Sequence, residues 1–197
     1  ATVYTNAGCT VEAGSGAVGD DGTFSVTVDA NADSENSYYV AVTDDAGNTS
    51  ACAGPVIYVH DGTPPANITL TGTDPLPPSP EQNPELQGTT EAGAEIAVYG
   101  QGGCQGAIIA EGTADASGSF VIIAPAVPDV TTVFSATATD KAGNVSAFSH
   151  VMPFTNDSTP PDPPVLTATT PASPTTTDVT PNVAGNATPN VTVLLYN

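Results

Sequence analysis

Apolar and polar side chains alternate along several short stretches of this chain, a pattern that predicts β-strands with one buried face. The alternation is clearest in residues 119–124, where Phe120, Ile122 and Ala124 would face inward, and it recurs in residues 132–139. Gly, Pro, Asn and Asp are common between these stretches, and these residues suit the backbone conformations of tight turns. The pattern therefore predicts an all-β protein built from short strands.

Residues 62–158 contain seven candidate strands bounded by turn signals. We predict these strands over Asn67–Gly72, Glu85–Thr90, Glu95–Tyr99, Ile108–Thr113, Ser119–Ala124, Thr132–Thr139 and Val145–Phe154. Seven short strands in a unit of about 96 residues match the size and strand count of an immunoglobulin-like β-sandwich. Because the chain contains no Trp, we expect Tyr99, Phe120 and Phe134 to fill the space that a buried Trp occupies in antibody-type domains.

The sequence repeats itself after 96 residues. Residues 43–50 (TDDAGNTS) return as residues 139–146 (TDKAGNVS), and residues 61–65 (DGTPP) return as residues 157–161 (DSTPP). Self-similarity at a fixed spacing indicates tandem structural units. The repeat also predicts inward-facing side chains in the first unit, at Phe24, Val26, Val28, Tyr38, Val40 and Val42.

The phase of the repeat divides the chain into three segments. We predict the C-terminal part of one immunoglobulin-like unit, a complete unit and the N-terminal part of a further unit, in residues 1–61, 62–158 and 159–197. A window within a longer array is the simplest explanation of this phase. The linkers at Pro64–Pro65 and Pro160–Pro164 would act as semi-rigid spacers, or the prolines would protect a strand edge from pairing.

The charge balance excludes two classes of partner. Asp and Glu number 21 against one basic residue, Lys141, and the formal net charge is −20. Nucleic acids and anionic membrane surfaces are both bound through clustered Lys and Arg, so neither is expected as a partner. Hydrophobic residues make up 39% of the chain, which is too many for a disordered acidic tail.

Three cysteines without C-x-x-C spacing fit an oxidising compartment. Cys9 and Cys52 lie in the same predicted unit, and we predict that they form a disulfide and leave Cys104 unpaired. As a nucleophile Cys104 would need a His partner, and His60 and His150 occupy nonequivalent positions of the repeat. The sequence contains no hydrolase, phosphate-binding or zinc-protease motif, so an enzyme is not expected.

The most specific motif is the stretch 138–146, A-T-D-K-A-G-N-V-S, followed by a strand and by D-S-T-P-P at residues 157–161. This order resembles the bacterial immunoglobulin-like (Big) repeats of large secreted adhesins and surface stalk or fibre proteins. The resemblance covers essentially the whole chain. It implies domains stacked end to end outside the cell, stiffened linkers and calcium at the junctions, and it identifies no particular ligand.

Acidic turns would gather at one end of the complete unit. In the immunoglobulin arrangement, loops 91–94, 114–118 and 140–144 share the end that receives the preceding linker. Ca²⁺ takes about six to eight oxygen ligands from carboxylates, carbonyls and amides. We therefore predict calcium at the junctions, with candidate ligands Asp61, Glu91, Asp115 and Asp140 at the central one, Asp20 and Asp44 at the preceding one and Asp157 at the following one.

Turn chemistry is the alternative explanation for these acids, because D-x-A-G-N is a natural hairpin turn. It accounts for Gly143 and Asn144. It does not account for a net charge of −20 with a single basic residue. Self-repulsion of that size destabilises a compact state unless cations screen it.

Three hypotheses for function follow, all of them for a protein outside the bacterial cell. The first is a structural extender or stalk segment of an adhesin or surface fibre, whose partners are the neighbouring units. The second is a glycan- or cell-surface-binding module, which exposed aromatic side chains would favour, although aromatic residues make up only 6% of the chain. The third is a filament subunit that polymerises head to tail by donating strands to a neighbouring copy.

Overall fold

The computed structural model describes residues 1–174, 176 and 179–196. Its regular secondary structure in this part of the chain is entirely β. The strands are β1 (Thr2–Tyr4), β2 (Glu12–Ser15), β3 (Ser34–Ala41), β4 (Ala53–His60), β5 (Thr69–Asp74), β6 (Glu85–Thr89), β7 (Glu95–Tyr99), β8 (Ile108–Thr113), β9 (Ser119–Ile123), β10 (Thr131–Thr139), β11 (Met152–Thr155), β12 (Val165–Thr170) and β13 (Asn182–Asn186). The prediction of an all-β fold is confirmed.

The central segment of the chain forms two antiparallel sheets that pack face to face. One sheet has the strand order β5-β6-β9, and the other has the order β11-β10-β7-β8. Every strand pair in the two sheets is antiparallel. Two sheets of short strands around one core confirm the predicted immunoglobulin-like β-sandwich, and β7 and β8 have the bounds predicted from sequence.

The core of this sandwich takes side chains from both sheets. Its buried members are Ile68, Leu70, Leu86, Ala94, Ile96, Val98, Ala114, Phe120, Ile122, Ala124, Ala126, Phe134, Ala136, Ala138 and Phe154. Tyr99, which we expected in the core, is only half-buried. Ile96 and Val98 face inward, so the alternation of the strand turns Tyr99 to the other face, and Phe154 packs beside Phe134 with ring centroids 6.5 Å apart.

Gly88 has no side chain and so leaves room for the Phe120 ring to lie across β6. The two residues are paired between β6 and β9. A Cβ atom at position 88 would lie 2.5 Å from the Thr69 carbonyl oxygen and 2.8 Å from Phe120 Cε1. These separations are shorter than any van der Waals contact, so a side chain at this position is incompatible with the observed packing.

The predicted strand over residues 145–154 is wrong in its first half. Only β11 is a strand there. Upstream, the side-chain oxygens of Ser149 and Ser146 accept hydrogen bonds of 3.0 and 2.9 Å from two backbone N–H groups of β10. These hydroxyls take positions that main-chain carbonyls occupy in a ladder, so the segment follows β10 without regular strand pairing.

Residues 1–61 form a single sheet with the order β2-β1-β3-β4, which matches the order β8-β7-β10-β11 of the central sandwich. Both sheets carry a register shift at the same step, between Val3 and Tyr4 and between Val98 and Tyr99. Phe24 and Val42 were expected to be buried, but they are 45% and 41% exposed. The reason is that no second sheet covers this face within the described chain.

The last segment forms a two-stranded hairpin of β12 and β13. The pairing shifts register between Leu166 and Ala168, as the pairing of β5 with β6 does between Leu70 and Gly72. All residues of both strands are exposed. Residues 187–196 form no third strand in this segment.

Cys9 and Cys52 are joined by a disulfide, with Cα atoms 5.8 Å apart. The bond ties the loop after β1 to the residue before β4. Cys104 has no disulfide partner, and its N–H donates a 2.9 Å hydrogen bond to Ser135 Oγ in β10. In the central sandwich a hydrogen bond therefore fastens the loop that a disulfide fastens in the first segment.

Candidate functional site

The turn over residues 140–144, directly after β10, is organised by Asp140. Its Oδ1 atom accepts hydrogen bonds from the N–H groups of Ala142 (2.8 Å) and Asn144 (2.9 Å), and its Oδ2 atom accepts one from Asn144 Nδ2 (2.9 Å). Gly143 adopts a φ of +92°, which Gly tolerates best. The Asn144 side chain, followed by backbone N–H groups, holds the pKa of Asp140 below its usual value.

The same turn occurs after β3. Asp44 Oδ1 accepts from the N–H groups of Ala46 (3.0 Å) and Asn48 (2.8 Å), and Oδ2 accepts from Asn48 Nδ2 (2.9 Å). Hydrogen bonds from Asn48 likewise lower the pKa of Asp44. The D-x-A-G-N motif therefore encodes its own turn, and turn chemistry accounts for the bonds of both carboxylates.

Asn144 connects its turn to the linker that enters the central sandwich. Its Nδ2 atom donates a second hydrogen bond, 3.0 Å long, to the carbonyl oxygen of Asp61. The Asp61 carbonyl and the Asp140 carboxylate thus share one amide group. The Asp61 side chain bonds within the linker, where Oδ1 accepts from the Thr63 N–H at 3.1 Å. For Asn48 the linker bond has no counterpart among the described residues.

The other loops at this end lie beside the turn. The Gly93 N–H donates a 3.1 Å hydrogen bond to the carbonyl oxygen of Ala114, which joins loop 91–94 to loop 114–118. A Cβ atom on Gly93 would lie 4.0 Å from Lys141 Cε, so the turn around Asp140 is adjacent to both. The three acidic loops and the incoming linker therefore meet at one end of the sandwich, together with the single basic residue of the chain.

The Asp115 carboxylate accepts its hydrogen bonds from neighbouring residues of its own loop and the start of β9. Its Oδ1 atom accepts from the Ser117 hydroxyl (2.6 Å), the Ser117 N–H (2.8 Å) and the Ser119 N–H (2.9 Å). The Ser117 side chain is the largest cause of the lowered pKa of Asp115. The carboxylate therefore stays ionised, with its hydrogen bonds directed into the loop.

Of the remaining predicted ligands, Glu91 lies in loop 91–94 at this end, and Asp157 and Asp20 lie elsewhere. Glu91 accepts a 3.2 Å hydrogen bond from the Ala94 N–H through its main-chain carbonyl, and the Asp157 N–H donates to the Ser79 carbonyl at 2.9 Å. Asp20 is exposed in the turn before Phe24. No group of three or more His, Cys, Asp or Glu side chains that could hold a metal ion occurs within residues 1–174, 176 and 179–196.

Asp33 is a linker-binding residue that the sequence reasoning missed. It lies before β3 with a φ of +49°, and its Oδ1 atom accepts a 2.7 Å hydrogen bond from the Gly62 N–H in the linker. The Asp33 N–H donates to His60 Nδ1 at 3.0 Å. The Gly62 N–H is the largest cause of the lowered pKa of Asp33, and attraction to His60 adds to it.

Asp129, 96 residues later, makes the equivalent hydrogen bonds to the linker that leaves the central sandwich. Its φ is +56°, and its Oδ1 atom accepts from the Ser158 N–H (2.7 Å) and hydroxyl (2.8 Å). The Asp129 N–H donates to Asn156 Oδ1 at 2.9 Å. In the first segment the equivalent acceptor is His60 Nδ1. Comparing acidic positions at the repeat spacing would have found this pair, since both are Asp in an otherwise dissimilar stretch.

Asp33 and Asn144 hold the two sides of one peptide group. The Asp61 carbonyl accepts from Asn144, and the N–H of the next residue, Gly62, donates to Asp33. A peptide group is planar and rigid, so a single flat unit is bonded to both the first segment and the central sandwich. We call this arrangement the peptide clamp. Beyond it, Pro65 is buried, so the linker continues onto the surface of the sandwich.

The comparison with family models agrees with the fold. Residues 79–153 match the family model described as a bacterial Ig domain, a little over a third of the chain, so the resemblance to bacterial immunoglobulin-like domains is confirmed for this segment. Among solved structures, the chain is similar to one titled "Biofilm associated protein - BSP domain", with 18% sequence identity and a TM-score of 0.36, over 81% of this chain and 25% of that chain. The chain thus spans a quarter of the length of that structure. The search of curated proteins returned no match.

Among the described residues there is no helix of the length and hydropathy needed for a membrane span.

Proposed function

We propose that this chain is a structural extender segment of a bacterial adhesin or surface fibre, located outside the cell and without enzymatic activity. The observation that carries the proposal is the peptide clamp, in which the carbonyl and the N–H of one linker peptide group are bonded to different units. A binding or catalytic module does not require such a joint. A stalk does, because its reach depends on the direction of one unit being transmitted to the next.

The proposal divides the chain at the linkers, into residues 1–61, 62–158 and 159–197. The partners of each unit are then its neighbours along the array. The Asp129 carboxylate, which bonds Ser158, is the first half of an equivalent clamp at the second linker. In the proposal the other half is an Asn of the following unit, in the position that Asn144 has in the central one.

The joint transmits direction because it leaves little freedom between the units. Proline fixes φ and removes a hydrogen-bond donor, and short proline-rich linkers behave as semi-rigid spacers. Pro64 and Pro65 follow the clamp after one intervening residue, Thr63, and Pro65 is buried. The rotatable backbone between the two units is therefore limited to the residues around the clamped peptide group.

Calcium at the joint belongs to the same proposal. The oxygens that the fold gathers there are the Asp61 carbonyl and the Asp140 carboxylate, around the amide of Asn144. Both are oxygen donors of the kind that Ca²⁺ prefers. A cation would also reduce the repulsion within a chain of net charge −20.

Calorimetry with calcium and then with chelator tests the ion. If the folded joint binds Ca²⁺, an excess of about a hundredfold over Kd adds about 2.7 kcal/mol to the stability of the folded state. The shift should disappear in Asp140→Asn, which keeps an acceptor oxygen for the turn, and persist in the control Asp74→Asn, at an exposed carboxylate at the end of β5. Equal melting temperatures with calcium and chelator would rule out calcium and leave the proline-stiffened clamp.

Immunogold labelling of intact cells tests the location and the role as an extender. An antibody raised against the 197-residue chain should place gold at a distance from the cell envelope, because an extender projects away from its anchor. Absence of label on intact cells, together with label inside sectioned cells, would overturn the proposal. Label directly on the envelope surface would contradict the extender role while keeping the extracellular location.

A further inference from the structure

The peptide clamp holds one of the two Asp-Gly bonds of the chain. Asp61–Gly62 supplies the clamped peptide group, and Asp21–Gly22 lies in an exposed turn of the first segment. In an Asp-Gly sequence the backbone nitrogen of the glycine can attack the side-chain carbon of the aspartate, because glycine has no Cβ atom to obstruct a close approach. The peptide group that joins the two units is therefore of a kind that rearranges spontaneously.

The Asp61 side chain lies beside the nitrogen that would attack it. Its Oδ1 atom accepts a 3.1 Å hydrogen bond from the Thr63 N–H, so the carboxyl group folds back along the Gly62 backbone. Residues 61–63 are exposed, and water therefore reaches them. The reacting carbon, the attacking nitrogen and water are thus together at the linker.

Both bonds of the peptide clamp oppose this reaction. The Gly62 nitrogen attacks only after it loses its proton, and its N–H donates a 2.7 Å hydrogen bond to the Asp33 carboxylate. Such a charge-assisted bond favours the protonated nitrogen. Ring closure also turns the peptide group about the Asp61 Cα–C bond, and the 3.0 Å bond from Asn144 to the carbonyl oxygen resists that rotation. The closed joint therefore keeps Asp61–Gly62 unreacted.

The second linker has the same type of acceptor but lacks the glycine. Asp157–Ser158 occupies the equivalent position, and Asp129 accepts from the Ser158 N–H at 2.7 Å as Asp33 does from the Gly62 N–H. Gly62 does not adopt the left-handed φ that favours glycine. A Cβ atom there would lie 3.3 Å from two side-chain atoms, which is close but does not overlap. The linker bond therefore accepts a serine, and the reactive glycine is a property of the first joint.

We propose that Asp61–Gly62 is a site of spontaneous isoaspartate formation that the peptide clamp controls. The closed joint protects the bond, and a joint that opens releases it to react. The inference rests on the clamp and is independent of the role of the chain as an extender.

The rearrangement takes place in two steps. In the first, the Gly62 nitrogen gives up its proton and bonds to Asp61 Cγ, while one oxygen of the carboxyl group leaves as water. In the second, water adds to the main-chain carbonyl carbon of Asp61, the bond from that carbon to the nitrogen breaks, and the nitrogen takes up a proton and stays bonded to Cγ. One water leaves and one is added, so the mass is unchanged and nothing is oxidised or reduced.

The product cannot re-form the peptide clamp. The backbone then runs through Asp61 Cβ and Cγ, and the carbonyl oxygen that accepted from Asn144 becomes part of a free carboxylate. The Gly62 N–H belongs to a different peptide group. Because the two clamp bonds no longer share one rigid planar unit, a joint that has reacted stays loosened.

Ageing of the 197-residue chain at neutral pH in chelator tests this control. Asn144→Ala removes the carbonyl bond, and Asp33→Gly removes the N–H bond while tolerating the φ of +49° at that position. After reduction, chymotryptic cleavage gives peptides 59–70 and 5–24, one for each Asp-Gly bond, and chromatography resolves their isoaspartyl forms. Each substitution should raise the rate in peptide 59–70 by at least about threefold, as expected when one opposing hydrogen bond is lost. The rate in peptide 5–24 should stay the same.

Matched variants separate the peptide clamp from general loosening. Asn48→Ala removes the equivalent turn bond, which has no linker counterpart, and should change neither rate. Gly62→Ser added to Asn144→Ala should bring peptide 59–70 back to the unmodified rate or below, because the serine side chain obstructs the attack. Equal rates at residue 61 in the unmodified chain and both clamp variants, or acceleration by Asn48→Ala as well, would overturn the proposal. Rigidity of the joint is measured separately, by the relative motion of the units, so equal rates in a rigid joint reject this inference alone.

Discussion

Replacing Gly88 by Ala should destabilise the central sandwich sharply, whereas the same change at Gly72 should not. At Gly88 the new Cβ would lie 2.5 Å from the Thr69 carbonyl oxygen and 2.8 Å from Phe120 Cε1. At Gly72, in the neighbouring strand β5, nothing lies within 4 Å of the corresponding atom. The two substitutions add the same methyl group to paired strands of one sheet, so they isolate the effect of packing.

The magnitude follows from the displaced groups. Phe120 is 5% exposed, and burying a Phe side chain is worth about 1.5–3 kcal/mol. Overpacking alone costs about 1–3 kcal/mol, while reduced entropy of the unfolded chain returns about 0.4–1 kcal/mol. We expect a net loss of about 2–4 kcal/mol for Gly88→Ala and a small gain for Gly72→Ala.

Scanning calorimetry at low protein concentration is the assay, because the central sandwich has the closed core among the described residues and dominates the transition. For a unit of this size about 1 kcal/mol corresponds to roughly 4–8 °C in Tm, so Gly88→Ala should lower Tm by roughly 10 °C or more. Gly72→Ala should leave it unchanged or slightly higher. Equal shifts for the two variants would refute the packing of Phe120 across β6.

Three further outcomes are expected from the same contacts. Ser149→Ala should cost about 1–3 kcal/mol in chemical unfolding, because it leaves the buried Ala136 N–H without its acceptor, whereas a change within about 0.5 kcal/mol would contradict that bond. Stability should be constant near neutral pH and fall as the pH drops through the native pKa of Asp33, which lies below its ordinary value of 3.8, because a lowered pKa stabilises the folded state only while the carboxylate is ionised. Tm measured between about pH 6 and 2 should therefore decline less in Asp33→Asn than in the unmodified chain. Identical pH profiles would contradict the assignment. Reducing the Cys9–Cys52 bond, which joins residues 43 apart in sequence, should destabilise the first segment by about 2–4 kcal/mol. Amide exchange should show the loss of protection in β1 and β3, with no change in β7 and β10. Equal protection of β1 and β3 before and after reduction would show that the disulfide adds no stability.

Strand alternation and turn motifs were sufficient to predict most of the central sandwich. Phe120 and Phe134 face the core because the period of a strand is two residues, and D-x-A-G-N forms its turn from bonds within five residues. Such local rules act wherever the motif occurs. Tyr99 was misplaced because an expectation drawn from a different domain type was set above the alternation of its own strand.

Contacts between distant parts of the chain could not be predicted in the same way. Ser146 and Ser149 replace a strand ladder by side-chain bonds, and nothing in their local sequence distinguishes them from strand residues. Asp33 reaches Gly62 and Asn144 reaches Asp61 across 29 and 83 residues, so their roles depend on the folded position of the linker. The acidic loops were correctly placed at one end. The bonds that join the units, however, come from the side-chain amide of Asn144 and from Asp33, which lies outside those loops.

The peptide clamp is most directly tested by the relative motion of the first segment and the central sandwich. Backbone ¹⁵N relaxation and residual dipolar couplings should give one common alignment tensor for both in the unmodified monomer. Asn144→Ala removes the turn bond and the linker bond, whereas Asn48→Ala removes only the equivalent turn bond. Separate tensors in Asn144→Ala and a common tensor in Asn48→Ala are the predicted result, and independent motion of the two units already in the unmodified chain would contradict the account.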